Sequence, residues 1–402
     1  MNAALASAAR AAPEILLERA RGLVPWFREC AADTERNRRV SDESIARLRD
    51  NGLFKILQPA RFGGFEHDLG LLIDINCEIG RACASTAWVY GVGVAHQYLV
   101  AMFPPETQEE VWAGDPDTFV AGSYAPATLA RAAAGGYRIS GRWSFASGVD
   151  NAKWSALGVL FPPSTPEARP RAGFLLVPAA DYVIDDDWHT IGLCGTGSKT
   201  IVVNDAFVPA HRALGFAELL SGTSPGGCLH PNPLFRMPFI ATIPVTILSS
   251  GLGAVQGAID DVLSEVTKRS TRGATAGAGG RIGDFATVQI RFAEATACLD
   301  AAKLLLQRDC AEILSLLRAG KEVSLETRIR NRRDHAFAAT LLVRAVDTAY
   351  AVVGGQGLYL NHATQRAWRD AHAVARHVSF NWDAVGAMYG QFAFGLEPKG
   401  QY

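Results

Sequence analysis

Three of the nine histidines stand where an imidazole could do chemistry: His96 in an apolar segment, and His372 and His377 in RDAHAVARHVSFNWD (Arg369–Asp383). Imidazole titrates near neutral pH, so it can take a proton from a bound oxygen or give one back. If that last segment is one helix, His372 and His377 lie about 140° apart around its axis and do not share a pocket. The plainer alternative for each is a ring packed among helices and satisfied by a carbonyl. Ser147 closes GGYRISGRWSFASG (Gly135–Gly148). A hydroxyl at a strand end can donate to an atom that develops negative charge, although Ser-Gly also makes ordinary turns. Ser123, in AGSYAP, could face the same point from a neighbouring strand. Thr196, Gly197 and Ser198, in GTGS, form a turn whose N–H groups and hydroxyls can hold a polar ring edge or a phosphate. Arg269 and Arg272 precede a glycine-rich loop, and their fork geometry suits phosphate oxygens. A solvated charge is the even alternative there. Arg236, in NPLFRMPF, could meet an acidic or carbonyl-bearing ligand on spacing alone. Trp143, Phe145 and Trp154 could wall a flat ligand, although aromatics in strands are more often core.

Composition narrows the classes. The 402 residues are 49% apolar and 20% charged, enough for a large core in two or three compact units. A formal net charge of −1 argues against a nucleic-acid partner, which calls for a basic face. Seven cysteines, an odd number without a CxxC pair, favour reduced thiols and a cytoplasmic location. The first dozen residues lack the apolar run of a signal peptide. Ile79–Met102 is apolar enough to raise a membrane span, but Arg81, His96 and Gln97 favour a buried helix or helix pair, so no membrane is expected. No HExxH or CxxC suggests a metal, and without GxGxxG nicotinamide is not expected to bind here.

The periodicity predicts helices first: Ile15–Thr34 with Leu16, Ala20, Leu23 and Phe27 on one stripe, then a helix capped by Ser41 and stopped at Asn51-Gly52. Leu53–Asp68 reads as a short extended piece with a Gly-Gly turn. Leu69–Arg81 and Ala84–Phe103 read as helices, with Pro104-Pro105 ending the run. Six short β-type segments between Thr118 and Pro209 predict a small antiparallel barrel or sandwich. Ile243–Val266, Asp284–Ala319, Ser324–Val353 and Ala363–Ala393 then predict a four-helix bundle. The expected division is a helical domain over 1–117, a β-domain over 118–233 and the bundle over 234–402. The class is α+β, mostly α, and the cleft between unlike domains is the place to seek a ligand.

That order resembles the acyl-CoA dehydrogenase fold over roughly residues 15–398. The resemblance rests on LRDNGLFKILQPARFGG (Leu48–Gly64), SFASG (Ser144–Gly148), GTGSKTIVVNDAFVP (Gly195–Pro209), GGQGLY (Gly354–Tyr359) and Arg369-Asp370. It implies a flavin between the β-domain and the bundle, and a homotetramer. A dehydrogenase needs a carboxylate base. Where the family places it this chain has His377, and the other possible position, within Phe239–Gly253, holds no acid. The chain is therefore similar to the flavin-dependent monooxygenase branch of the fold, the oxygenase components of two-component systems. The resemblance implies reduced FMN or FAD supplied by a separate NAD(P)H:flavin reductase, O2, a flavin C4a-hydroperoxide and a small aromatic substrate. It assigns Ser147 to the flavin peroxide, His377 to acid/base work and His96 to placing substrate; Ser123, Arg236 and His372 are candidates for the substrate side on their positions in the sequence alone. Trp143, Phe145, Thr196, Gly197, Ser198, Arg269 or Arg272, and the Gly354-Gly355 turn would contact the flavin. Two rivals stand beside this reading: an acyl-CoA dehydrogenase or related oxidase holding oxidised FAD, and a non-catalytic oligomeric scaffold.

Overall fold

The computed structural model describes residues 10–402 except 164, 166 and 271–279. Among the described residues five helices come first: α1 (Pro13–Asn37), α2 (Asp42–Asp50), α3 (Leu69–Gly80), α4 (Ala84–Met102) and α5 (Pro105–Trp112). α1 buries the expected stripe of Leu16, Ala20, Leu23 and Phe27. Ser41 caps α2 by accepting from Ser44 N at 3.2 Å. α4 is buried around almost its whole circumference, as an apolar helix without a polar face must be.

Two expectations give way here. Leu53–Asp68 is not extended; it holds two 3-10 turns, Leu53–Lys55 and Ala60–Phe62, closed by Phe65 N to Lys55 O at 2.8 Å and His67 N to Ile56 O at 2.7 Å. Pro104-Pro105 does not end the helices, because Pro105 starts α5, where its missing N–H costs nothing.

Eight strands follow: β1 (Val120–Ser123), β2 (Arg131–Ala133), β3 (Gly136–Ala146), β4 (Trp154–Phe161), β5 (Arg171–Pro178), β6 (Val183–Asp185), β7 (Lys199–Pro209) and β8 (Ala213–Gly215). They make two four-stranded sheets, ordered β1-β4-β5-β8 and β2-β3-β7-β6. The expected antiparallel arrangement holds except for β1 and β4, which pair in parallel. β2 and β8, three residues each, are too short to show a period. The register of β3 against β7 slips between Trp143 and Ala146, and within that slip Phe145 takes φ +65°. Such a bulge re-aims the residues after it, and the next residue is Ser147.

The remaining helices are α6 (Phe216–Ser221), α7 (Phe239–Thr242), α8 (Val245–Val266), α9 (Ala286–Arg318), α10 (Leu325–Val353), α11 (Ala363–Ala375) and α12 (Trp382–Ala393). The last predicted helix is thus two, broken by a 3-10 turn at Val378–Phe380 that His377 caps. Among the described residues two helical stretches, Phe239–Val266 and Leu325–Leu358, are long and apolar enough to cross a membrane; 89% of the first one's most apolar window is buried inside the protein.

α4 meets α8 so closely that a Cβ on Gly91 would stand 2.0 Å from Thr246 O. Asn76 seals the same contact, its amide donating to Thr246 O at 2.7 Å and Ser249 Oγ at 2.8 Å. Gly91→Ala should therefore destabilise the protein by at least about 1–3 kcal/mol, the ordinary cost of overpacking. Thermal unfolding of the variant checks this, and an unchanged midpoint would show that the helices can part.

Candidate active site

Three hydroxyls from two segments meet at the end of β3. Ser147 Oγ lies 2.7 Å from Ser198 Oγ, and Ser198 Oγ lies 2.6 Å from Thr196 Oγ1. Thr196 Oγ1 donates to Leu193 O at 2.9 Å. All three side chains are buried. Gly148 N donates to Thr196 O at 2.9 Å and ties the two segments together. Gly197 supplies the left-handed φ of +54° between the two hydroxyls of the turn.

Trp88, on α4, joins this chain to the bundle. Its Nε1–H donates to Ser147 Oγ at 2.9 Å, and its ring meets His377 edge-on at a centroid distance of 5.7 Å. One indole thus touches both of the residues that the sequence reading put foremost in the chemistry, Ser147 and His377. Nothing in the sequence singles Trp88 out, because it sits in an apolar helix where tryptophan reads as core.

His377 takes its orientation from the helix break. Its Nδ1 accepts from Ser379 N at 3.2 Å, so the neutral ring carries its hydrogen on Nε2. Among the described residues Nε2 has no partner. Arg332, on α10, braces the turn by donating to Ser379 O at 2.9 Å. Burial, helped by the Arg332 charge, lowers the His377 pKa to about 4. The ring is therefore neutral at pH 7 and acts as a donor through Nε2, rather than as a base that takes a proton there.

His96 is the mirror case. Its Nδ1–H donates to Val120 O at 2.7 Å, which leaves Nε2 a bare acceptor. Burial pushes its pKa down to about 4. It lies eight residues beyond Trp88 on α4, about 12 Å along the axis. The two rings therefore serve different parts of the region. Around His96 stand Tyr124 at 5.6 Å and, beyond Tyr124, Phe174 at 4.8 Å and Phe239 at 5.9 Å between centroids. A Cβ at Gly122 would come within 3.0 Å of His96 Nε2, so the glycine makes room for the ring.

Both pKa values lie below 6.5 because the charged form is the one disfavoured, so protonation begins only in acid. Product yield should therefore show no imidazole titration between pH 6 and 8. A fall in yield centred near pH 6.5 would show that one of these rings is solvated and titrates freely.

Other sequence-predicted residues stand outside the hydroxyl chain. Trp143 is core: it is 1% exposed between the sheets and donates to Gly158 O at 2.7 Å. Trp154 carries the Arg212 guanidinium over its ring. Phe145 is 71% exposed, with Trp188 set edge-on to it at 5.9 Å. Ser123 donates to the Ser144 carbonyl at 2.7 Å, a bond between strands. His372 pairs with Asp347 of α10 at 2.8 Å and packs against Trp368. The side chain of Arg236 is exposed. Arg269 bonds Glu265 at 2.8 Å and reaches Val353 O at 3.3 Å, which brings it to the Gly354-Gly355 turn as a second, separate group. Gly354 holds φ +64° there. Arg272 lies outside the described residues.

The Leu193 turn is also absent from the sequence reading. Leu193 is buried with φ +51°, a strain of about 1–3 kcal/mol for a non-glycine residue. Asp370 Oδ1 accepts from its N–H at 2.6 Å, and its carbonyl accepts from Thr196 N, Thr196 Oγ1 and Trp188 Nε1. Burial raises Asp370 to about 6. A cavity of ≈ 80 Å³ between α1, α8 and α11, lined by small residues as well as charged ones, borders Asp370 and Arg366 but neither Ser147 nor His377.

Comparison with known proteins fits this geometry. Residues 19–115 match the acyl-CoA dehydrogenase N-terminal domain, and residues 245–382 the acyl-CoA dehydrogenase C-terminal domain. The FADH(2)-dependent resorcinol hydroxylase, oxygenase component, of Rhizobium sp. (strain MTP-10005) is 47% identical over 96% of this chain and 96% of its own. The crystal structure of the HsaA monooxygenase from M. tuberculosis superposes with a TM-score of 0.91 at 33% identity, covering 97% of this chain and 100% of that one. XiaF from Streptomyces sp., in complex with FADH2 and glycerol, gives 0.88 at 28% identity, over 96% and 97% of the two chains. With a relative this similar along nearly its whole length, the chain belongs to the flavin-dependent monooxygenases, the oxygenase components built on the acyl-CoA dehydrogenase fold.

Proposed function

We propose that the chain takes reduced FMN or FAD from a separate NAD(P)H:flavin reductase and hydroxylates a small phenol. One atom of O2 enters the ring, and the other leaves as water with the two electrons of the flavin. The observation that carries this reading is the single indole of Trp88, which binds Ser147 on one side and packs against His377 on the other. The residues present suit a flat ring with a polar edge. Phe145, two residues before Ser147, and Val378, next to His377, are 71% and 78% exposed beside a buried chain of hydroxyls. When bound, the reduced flavin supplies the electrons and activates oxygen. Ser147 holds its polar edge, His377 Nε2–H steadies an oxygen that carries developing negative charge, and apolar walls exclude water. His96 Nε2, as an acceptor, takes the hydrogen of a phenolic hydroxyl and orients the substrate. Arg269 and the Gly354-Gly355 turn form a second polar group suited to the flavin phosphate.

Exposed apolar side chains on the bundle, among them Leu358, Leu360, Phe394 and Leu396, support a homotetramer. The seven free cysteines suit a cytoplasmic protein. The test is anaerobic titration with photoreduced FMN and FAD, followed by mixing with oxygen and a phenol, with product and H2O2 counted. Hydroxylated product in proportion to reduced flavin supports the reading. Tight binding of oxidised FAD without hydroxylation moves it to a dehydrogenase or oxidase, and no flavin binding leaves a scaffold.

A further inference from the structure

The two ends of the site differ in charge. Arg332, beside His377, is buried and donates to two carbonyls, Ser379 O at 2.9 Å and Gln401 O at 3.3 Å. Its charge is felt by His377. At His96 no such charge acts. The low pKa of that ring comes from burial, opposed by the bond to Val120 O, with no part from a charged side chain among the described residues. Two tyrosines close by report the same. Burial alone raises the Tyr124 hydroxyl, and at Tyr98 burial is opposed only by a bond to Met237 O. A cation near either phenol would pull its pKa down.

The neutrality is written into the segments that meet there. α4 has no Asp, Glu, Lys or Arg from Ala84 to Met102, and Val120–Ala130, which holds β1 and Tyr124, has none either. From Met237 to Ile259, through α7 and most of α8, the chain is again without one. Arg236, the cation nearest to α7 along the chain, has an exposed side chain. Gly122 and Tyr124 both face His96. A Cβ on Gly122 would stand 3.0 Å from Nε2, so the glycine keeps space beside the acceptor atom. The Tyr124 ring, 5.6 Å from that of His96, is backed by Phe174 and Phe239. What surrounds the bare nitrogen is therefore aromatic and uncharged.

We propose that the His96 end of the site rejects anions, so that the substrate is a phenol whose ring bears no carboxylate, sulfonate or phosphate. The inference rests on the reading of His96 as the residue that places the phenol. A carboxylate brought here would give up its hydration and meet no cation in return. It would meet instead the lone pair of Nε2 and the negative faces of aromatic rings. A hydroxyl or an amide of the same size gives up far less, because it carries no net charge to desolvate. Tyr124, Phe174 and Phe239 are thus specificity-determining walls, and they select by what they lack.

The experiment compares matched substrates on the full-length protein at saturating reduced flavin. Phenol and resorcinol serve as neutral references. The pairs are 3-hydroxybenzamide with 3-hydroxybenzoate, and 4-hydroxyphenylacetamide with 4-hydroxyphenylacetate, so that size is held and only charge changes. At pH 7.5 the kcat/KM of each acid should lie roughly a hundredfold or more below that of its amide, the scale of an unpaired buried charge. The ratio should also depend on pH. If only the protonated acid enters, acid over amide should fall by roughly tenfold per unit between pH 6 and 8, well above a carboxyl pKa of about 4. Acid and amide used equally well in either pair overturns the inference. Equal loss of both relative to phenol overturns it too, because size rather than charge would then exclude them. A ratio that stays flat with pH does the same, since ionisation would play no part. If neither phenol nor resorcinol is hydroxylated although reduced flavin binds and reacts with oxygen, it is the proposed function that fails, however the pairs compare.

Discussion

Ser147→Ala should leave oxygen consumption running while product gives way to H2O2. In the native protein the Ser147 oxygen sits between a buried indole N–H and a buried hydroxyl. Alanine removes the polar contact to the bound ring and leaves the buried Trp88 N–H without its partner, while Ser198 keeps its contact to Thr196. A hydrogen bond to a group carrying charge is worth about 1.5–3 kcal/mol. The hydroxylated fraction of oxygen consumed should therefore drop by roughly 10- to 100-fold relative to the peroxide fraction, at about 1.4 kcal/mol per tenfold. The orphaned Trp88 N–H should also lower the unfolding midpoint. Ser147→Thr keeps an oxygen at Cβ and should recover part of the coupling. Parallel assays of product and H2O2 at saturating reduced flavin decide the matter. An unchanged product fraction in the alanine variant would remove Ser147 from the site.

The three-part order of the fold was legible because helices and strands carry different periods, and the change from one to the other at Thr118 and again past Pro238 is abrupt. Parts with no period of their own were not legible. β2 and β8 are three residues long, and the turns over 53–62 depend on backbone bonds to residues further along the chain. α5 was hidden by a proline that reads as a stop after Pro104 and acts as a start in α5. The site divides in the same way. Ser147, Thr196, Ser198 and His377 were legible as residue types at joints, and the structure gathers all four. What binds them together was not. Trp88 is an aromatic on an apolar helix, and its partner Ser147 is 59 positions away. Leu193 matters through its peptide group and a left-handed φ, and neither leaves a trace in side-chain type. Trp143 and Phe145 show the limit from the other side. Two positions apart on one strand, they looked alike, but the bulge between Trp143 and Ala146 sends one into the core and the other to the surface.

His377 does two jobs that can be separated by choice of substituent. Its Nδ1 caps the turn at Ser379, and its Nε2–H is free for a ligand. Asparagine places an oxygen near the Nδ1 position and is a good cap, but it carries nothing as far out as Nε2. Glutamine places an amide N–H near the Nε2 position and gives up the cap. If the imidazole is present for its outward N–H, His377→Asn should keep the native melting temperature. Its rate of product formation at saturating reduced flavin should fall on the order of 100-fold, the scale of one lost donor to developing charge. His377→Gln should then be less stable yet retain more of the rate. If the ring serves only the helix break, the order reverses: asparagine would work almost as well as histidine, and glutamine would fail through a disordered turn. Because Trp88 packs against His377 and also bonds Ser147, glutamine should disturb the product fraction slightly by loosening the indole. Asparagine, with the turn intact, should lower the rate while leaving oxidised-flavin affinity unchanged. That pairing of a stable, slow variant with a less stable, faster one is what a chemical role for Nε2–H requires and a packing role does not allow.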